Sequence, residues 1–195
     1  KSWEISEDGL TYTFHLRNDA KFQDGTAVKA ADLAWSIQRL LGINKGPSNL
    51  IVGVLKPENV TAPDDATLVM KIERQFSPFM AATPLMMAMN KTLIEANAKP
   101  EDKWGEAYVG EHSAGSGPYK LVSYNRSADM VIARNADYFL GWTKGKPIDE
   151  VRFVQTSDDA TVKALAEKGE LGLSSHGLGN DTYESIGRMK GYKLI

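Results

Sequence analysis

Residues 10–41 read LTYTFHLRNDAKFQDGTAVKAADLAWSIQRLL. Leu10, Tyr12, Phe14 and Leu16 alternate with Thr11, Thr13, His15 and Arg17, the period of a strand that buries one face. Asp24-Gly25 then supplies turn chemistry, because glycine tolerates the positive φ that a tight turn needs. From Asp32 the period becomes helical: Leu33, Ile37, Leu40 and Leu41 share a stripe with Ala34. Gly42 marks the expected C-terminal stop. Lys29 precedes the helix where a hydroxyl would cap it, a change of roughly 1 kcal/mol unless replaced, and Asp32 can offset it through the helix dipole.

Working outward, the same periods predict further strands at Leu68–Ile72, Tyr119–Tyr124, Met130–Ala133, Glu150–Phe153 and Tyr192–Ile195. Asn125-Arg126-Ser127 joins two of them as a hairpin. Helices are expected at Ala30–Leu41, Pro78–Met89, Lys91–Ala96, Asp159–Lys168 and Thr182–Met189, with Gly169 closing the fourth. Hairpins mixed with crossover helices give an α/β or α+β class. No internal repeat or low-complexity segment is visible.

The 195 residues suffice for one domain or two small ones, and 42% hydrophobic with 25% charged residues is a globular composition. A net charge of −2, with no cluster of Lys or Arg, argues against nucleic acid as partner. The longest apolar candidate, Met80 to Met89, is broken by Pro84 and falls short of the ~20 residues a membrane span needs. With no cysteine there are no disulfides and no thiolate chemistry.

Several constellations come near to catalytic or ligating motifs. Gly110-Glu111-His112-Ser113-Ala114-Gly115 approaches a nucleophile elbow but carries one residue too many before the serine, and reads better as a loop. The Gly110 to Gly115 spacing suits a phosphate loop, yet no lysine follows to meet the phosphates. Gly177-Leu178-Gly179 lacks the third glycine of a dinucleotide fingerprint. His15, His112 and His176 lie far apart, without ligand spacing, so neither a metal nor another cofactor is expected. His15 points away from Phe14 and Leu16, as a solvated strand histidine would. Asp64-Asp65 and Asp158-Asp159 read as turn and helix caps. Met80, Met86, Met87 and Met89 read as packing, as does Trp35, and Trp142 is not placed in a site.

Thr13-Phe14-His15-Leu16-Arg17, Ala20-Lys21-Phe22, Asp24-Gly25-Thr26, Val28, Ala30 and Asp32 together resemble a segment of the extracytoplasmic solute-binding proteins of ABC importers, family 5, the oligopeptide-, dipeptide- and nickel-binding type. Further blocks of that resemblance follow in order. They are Ser116-Gly117-Pro118-Tyr119-Lys120-Leu121, Arg134-Asn135-Ala136-Asp137-Tyr138-Phe139, Lys146-Pro147-Ile148-Asp149-Glu150-Val151-Arg152-Phe153 and Gly169-Glu170-Leu171-Gly172-Leu173.

The resemblance implies part of a type II-like periplasmic-binding-protein lobe plus a small accessory subdomain, the latter over residues 1–110 and the lobe over 111–195. The opposing lobe would be absent, the chain an internal fragment, and any leader or lipid anchor upstream of Lys1. The implied function is capture of a small solute, a peptide in the first instance, by hinged closure of two lobes and delivery to a membrane permease, outside the cytoplasm and with no bond made or broken. Sugars, nickel chelates and opine-like compounds are the implied alternatives. The loop after the Gly-Glu-Leu block, Ser174-Ser175-His176-Gly177-Leu178, would face the solute, offering hydroxyls and backbone groups ahead of a helix start. Gly172 stands where the family carries an acid. Two other readings are a sensor or regulator built on the same lobe, and a serine hydrolase using Ser113 or Ser116 with His112.

Overall fold

The computed structural model describes residues 1–142, 145, 147–156, 158–174 and 177–195. It divides into two compact units, Lys1–Ser123 with Ile132–Val151, and Tyr124–Val131 with Arg152–Ile195.

The first unit is built on a four-stranded antiparallel sheet of β1 (Ser2–Ile5), β2 (Thr11–His15), β3 (Leu55–Thr61) and β4 (Thr67–Ile72), ordered β1-β2-β4-β3. Tyr12 lies opposite Met70, and Met70 opposite Val60, so one face carries a continuous apolar row. Helix α1 (Ala30–Ile43) lays Ala30, Ala34, Ile37 and Leu41 on that row. Spacings of four, three and four keep these side chains on one stripe. Ile37 is 2% exposed, and burial at that level stabilises by roughly 1.5–3 kcal/mol.

The helix runs past its expected stop. Gly42 is inside it, and Asn44 ends it in the left-handed conformation, its N–H reaching the Leu40 carbonyl. At the other end the Asp32 carboxylate accepts the Lys29 N–H at 2.9 Å, while the Lys29 ammonium pairs with Asp65 at 2.9 Å. Asp32 thus satisfies the N–H of Lys29 itself, while its own N–H, which a hydroxyl at position 29 would meet and a lysine side chain cannot, turns to the Lys29 carbonyl at 3.0 Å.

Helix α1 has a second buried face, four residues apart at Trp35 and Arg39. Trp35 packs in a separate cluster with Ile94, Ala114 and Trp104, which involves α3 (Lys91–Asn97) and α4 (Glu106–Val109). The expected long helix from Pro78 contracts to α2 (Phe79–Ala82) and one 3-10 turn at Thr83–Leu85. Pro84 lacks the N–H that would continue it. The alternation does not announce β3, because the strand holds Pro57 and a register shift between Leu55 and Val60, features concentrated at sheet edges. Strand β1 is four residues long and exposed throughout, so it carries no buried alternation to signal it.

Strands β5 (Tyr119–Asn125), β6 (Asp129–Arg134) and β7 (Glu150–Val154) hydrogen-bond in that order and contribute residues to both units. The Asn125–Ala128 turn closes the hairpin by Ala128 N–H to the Asn125 carbonyl at 3.0 Å.

In the second unit α5 (Asp159–Glu167) and α6 (Asn180–Gly187) pack through Val162, Ala166 and Ile186, joined by Leu171, Leu178 and Tyr192. Tyr192–Ile195 is not a strand. The chain turns at Met189–Tyr192, Gly191 takes φ +96°, and Leu194 lies across Gly187 instead. An apolar run ends as packing when no neighbouring strand offers it a ladder. No helix among the described residues is long and apolar enough to cross a membrane.

Candidate functional site

The loop expected to face a solute hangs between two fixed points of the second unit. Its entry is fixed where α5 stops: Gly169 takes φ +73°, its N–H reaches the Ala166 carbonyl, and the Glu170 N–H reaches Leu165. Leu171 then packs into the core of the unit. Its exit is fixed at Leu178, packed in the same core, and at Gly179, the N-cap of α6.

Between these points Gly172 and Gly177 are exposed and Ser174 is half-buried with an interaction of its own. Ser175 and His176 lie outside the described residues. Gly177 has φ +121°, a conformation that favours glycine. A Cβ on Gly172 would meet nothing within 4 Å, so sterics do not demand the glycine found there instead of an acid. Leu173 projects 77% exposed, the most solvated large apolar side chain apart from the terminal Ile195.

The chemistry of the exit is set by a carboxylate from the neighbouring helix. Asp159 Oδ2 accepts the Gly179 N–H at 2.9 Å and the Thr182 hydroxyl at 2.6 Å. These bonds, from the hydroxyl first and the amide second, hold the Asp159 carboxyl below its ordinary value against the opposing effect of desolvation. Its neighbour Asp158 does something else, capping α5 by accepting the Thr161 N–H at 2.8 Å. The sequence reading of Asp158-Asp159 as a capping pair holds for both, but the second carboxylate caps a different helix.

The first unit holds a half-open cleft of about 330 Å³ lined by Phe22, Asp24, Asn90, His112, Ser113 and Lys120 among others. Its wall is the Asp24-Gly25-Thr26 turn. Asp24 Oδ1 accepts the Thr26 N–H at 2.9 Å, Gly25 takes φ +89°, and the buried Asn90 donates to Asp24 Oδ2 at 2.7 Å. Burial opposes the Asp24 charge, but the Thr26 and Asn90 donors outweigh it and hold this carboxyl below its usual value.

Ser113 and His112 sit on the same rim without being joined. Ser113 Oγ accepts the Leu121 N–H at 2.7 Å. His112 Nδ1 contacts the Tyr108 carbonyl at 3.0 Å while its ring stacks on Tyr108 at 4.4 Å. Trp35 meets Trp104 edge-on at 6.0 Å, as packing. Trp142 Nε1 donates to the Asn135 carbonyl, and the ring lies against Tyr119 and Tyr138. Among the described residues no group of three His, Asp or Glu side chains could hold a metal ion.

This architecture, an antiparallel sheet with a covering helix followed by a hairpin and a helix pair, is shared with part of solved solute-binding proteins. It superposes on Haemophilus influenzae OppA in complex with RPPGFSPFR with a TM-score of 0.73, at 26% identity, over 96% of this chain and 38% of that one. The family model of bacterial extracellular solute-binding proteins, family 5, matches residues 1–193, and the chain belongs to that family.

Among curated relatives, the probable D,D-dipeptide-binding periplasmic protein DdpA of Escherichia coli (strain K12) is 32% identical over 139 residues, 70% of this chain and 26% of that protein. The glutathione-binding protein GsiB of Escherichia coli O1:K1 / APEC is 30% identical over 176 residues, 87% of this chain and 31% of that protein. The chain therefore spans between a quarter and a third of the length of these relatives. Family 5 proteins act outside the cytoplasm, as the extracellular and periplasmic descriptions of the family and of DdpA state.

Proposed function

We propose that the chain forms one side of a receptor that captures a small solute, a peptide in the first instance, and presents it to the membrane permease of an ABC importer. The observation that carries this reading is the family match over residues 1–193, with curated relatives described as a probable D,D-dipeptide-binding protein and a glutathione-binding protein. The loop of residues 174–178 is the solute-facing element, and residues 1–110 form an accessory subdomain beside the lobe segment 111–195. Capture works by population shift: a solute touching two lobes favours the closed state that the permease recognises. A sensor built on the same lobe is the second reading, and a lipid anchor upstream belongs to the first.

Halving a set of contacts worth about 8 kcal/mol, a micromolar affinity, leaves about 4 kcal/mol, a millimolar one. The chain alone should therefore bind glutathione or D-alanyl-D-alanine at millimolar strength. Titration of the isotope-labelled chain with each probe should move the amide resonances of Gly177, Leu178 and Gly179. Shifts confined to residues around Asn90 and His112, or none up to about 10 mM, would remove the loop from the site.

A further inference from the structure

Two adjacent aspartates begin α5, and only the first is needed to cap it. Asp158 takes the Thr161 N–H and hydroxyl, at 2.8 and 2.9 Å, which satisfies the start of its own helix. Asp159 turns its carboxylate to the beginning of α6, where one oxygen accepts two donors, the Gly179 N–H and the Thr182 hydroxyl. The glycine at position 179 is part of the same device. Its φ of −65° is open to any residue, but a Cβ there would sit 3.1 Å from Asp159 Oδ2. Close approach of the carboxylate, and not backbone freedom, is what a side chain at 179 would disturb.

Leu178, packed with Val162, Ala166 and Ile186, fixes the residue before. Hydrophobic packing alone is non-directional and would let the chain slide at this point. A doubly accepting carboxylate fixes direction and register.

We propose that Asp159 is the positioning residue of the solute-facing loop, setting from α5 where the loop's exit at Gly177-Leu178-Gly179 lies. This rests on the reading of residues 174–178 as solute-facing. Asp159 does not touch solute in this arrangement. It acts by holding Gly179 and Thr182, so that the exposed backbone of Gly177 is presented in one place and the ordering cost of binding is reduced.

Three variants of the full chain test it, with D-alanyl-D-alanine as probe. Asp159→Ala removes both acceptors, Thr182→Val removes one donor, and Asp159→Asn keeps an acceptor without the charge. In the unaltered chain the Gly179 amide resonance should titrate with a midpoint below 3.8, following the Asp159 carboxylate, and the Asn variant should abolish that titration while leaving Gly177 near its native shift. In the Ala variant Gly179 amide exchange should quicken at least about tenfold, the Gly177 resonance should move, and probe affinity should fall about threefold or more. The Val variant should fall between.

Unchanged Gly179 exchange in the Ala variant, with Val162 and Ile186 methyl resonances native, overturns the inference. Faster exchange and a moved Gly177 with unchanged probe affinity supports the positioning role and overturns the solute-facing reading of the loop.

Discussion

Replacing Gly42 by alanine should destabilise the chain, although helix propensity says the opposite. Gly42 lies within α1, where exchange of an interior glycine for alanine ordinarily gains about 1 kcal/mol. Here the added Cβ would stand 2.5 Å from Cζ2 of Trp104 and 2.8 Å from Cε2 and Nε1. Carbon atoms in contact prefer about 3.5–4.0 Å, so the overlap is about 1 Å and the ring must move. It has little room, since it meets Trp35 at 6.0 Å in the cluster with Ile94.

Overpacking of this kind costs about 1–3 kcal/mol. The Trp104 carbonyl also accepts Nε of Arg39 at 2.7 Å, and Arg39 is only 9% exposed. If the backbone shifts with the ring, a hydrogen bond to a buried charge worth roughly 1.5–3 kcal/mol goes too. Set against the propensity gain of about 1 kcal/mol, overpacking alone nets a loss of up to about 2 kcal/mol, and loss of the hydrogen bond as well raises it to about 1.5–5 kcal/mol, at about 2–4 °C of melting temperature per kcal/mol for this size. Urea unfolding followed by tryptophan fluorescence measures it. In a Trp104→Leu background the clash is gone and Gly42→Ala should become neutral or stabilising. A stabilised Gly42→Ala single variant would refute the reasoning.

Three further outcomes follow from the charges. Asn90→Asp keeps the acceptor that caps α3 but sets a second carboxylate where an amide now donates to Asp24 at 2.7 Å; it should cost about 1–2 kcal/mol at pH 7. Because Asp24 titrates below its usual 3.8 in the folded chain, its contribution is present above that value and fades as pH falls through the folded one; the gap between variant and unaltered chain should therefore close below about pH 4 in thermal unfolding, and a gap constant with pH would refute it. Asp19, hydrogen-bonded by Arg17, is drawn down to about 2, and Arg17→Gln should return its carboxyl resonance midpoint towards 3.8. Amidating the carboxyl end of D-alanyl-D-alanine should leave its effect on Gly179 undiminished, since Asp159 already occupies that amide; binding at Gly179 lost on amidation would contradict this.

The strand–turn–helix opening was legible because its residues obey a single environment each. Thr11–His15 alternates, Asp24-Gly25-Thr26 closes on itself through its own side chains, and the α1 stripe meets one sheet. Legibility failed where a residue answers to two partners or to a distant one. Gly42 reads locally as a helix stop, but its partner is Trp104, a residue 62 positions away that periodicity does not reveal. Pro57 and the β3 bulge erase the alternation that would announce a strand. Tyr192–Ile195 carries strand-forming residues, and strand identity depends on a neighbour that the local pattern does not contain.

The same distinction governs the candidate site. The loop of residues 174–178 reads locally as hydroxyls and glycines ahead of a helix start, and a free helix start attracts anions. In the structure that start is occupied by Asp159, and Asp181 stands in the first turn besides. Two carboxylates at one helix terminus reverse the local preference, disfavouring a solute carboxylate. Gly177 lies two residues before Gly179, and the carboxylate held at the Gly179 N–H repels like charge there. On the proposed reading of residues 174–178 as solute-facing, a peptide would direct its amides or its ammonium end at α6 and its carboxyl end away. The negative charge at the start of α6 thus comes from Asp159 on the helix opposite as well as from Asp181 in its own first turn, and the hydroxyl-rich composition of the loop alone does not contain it.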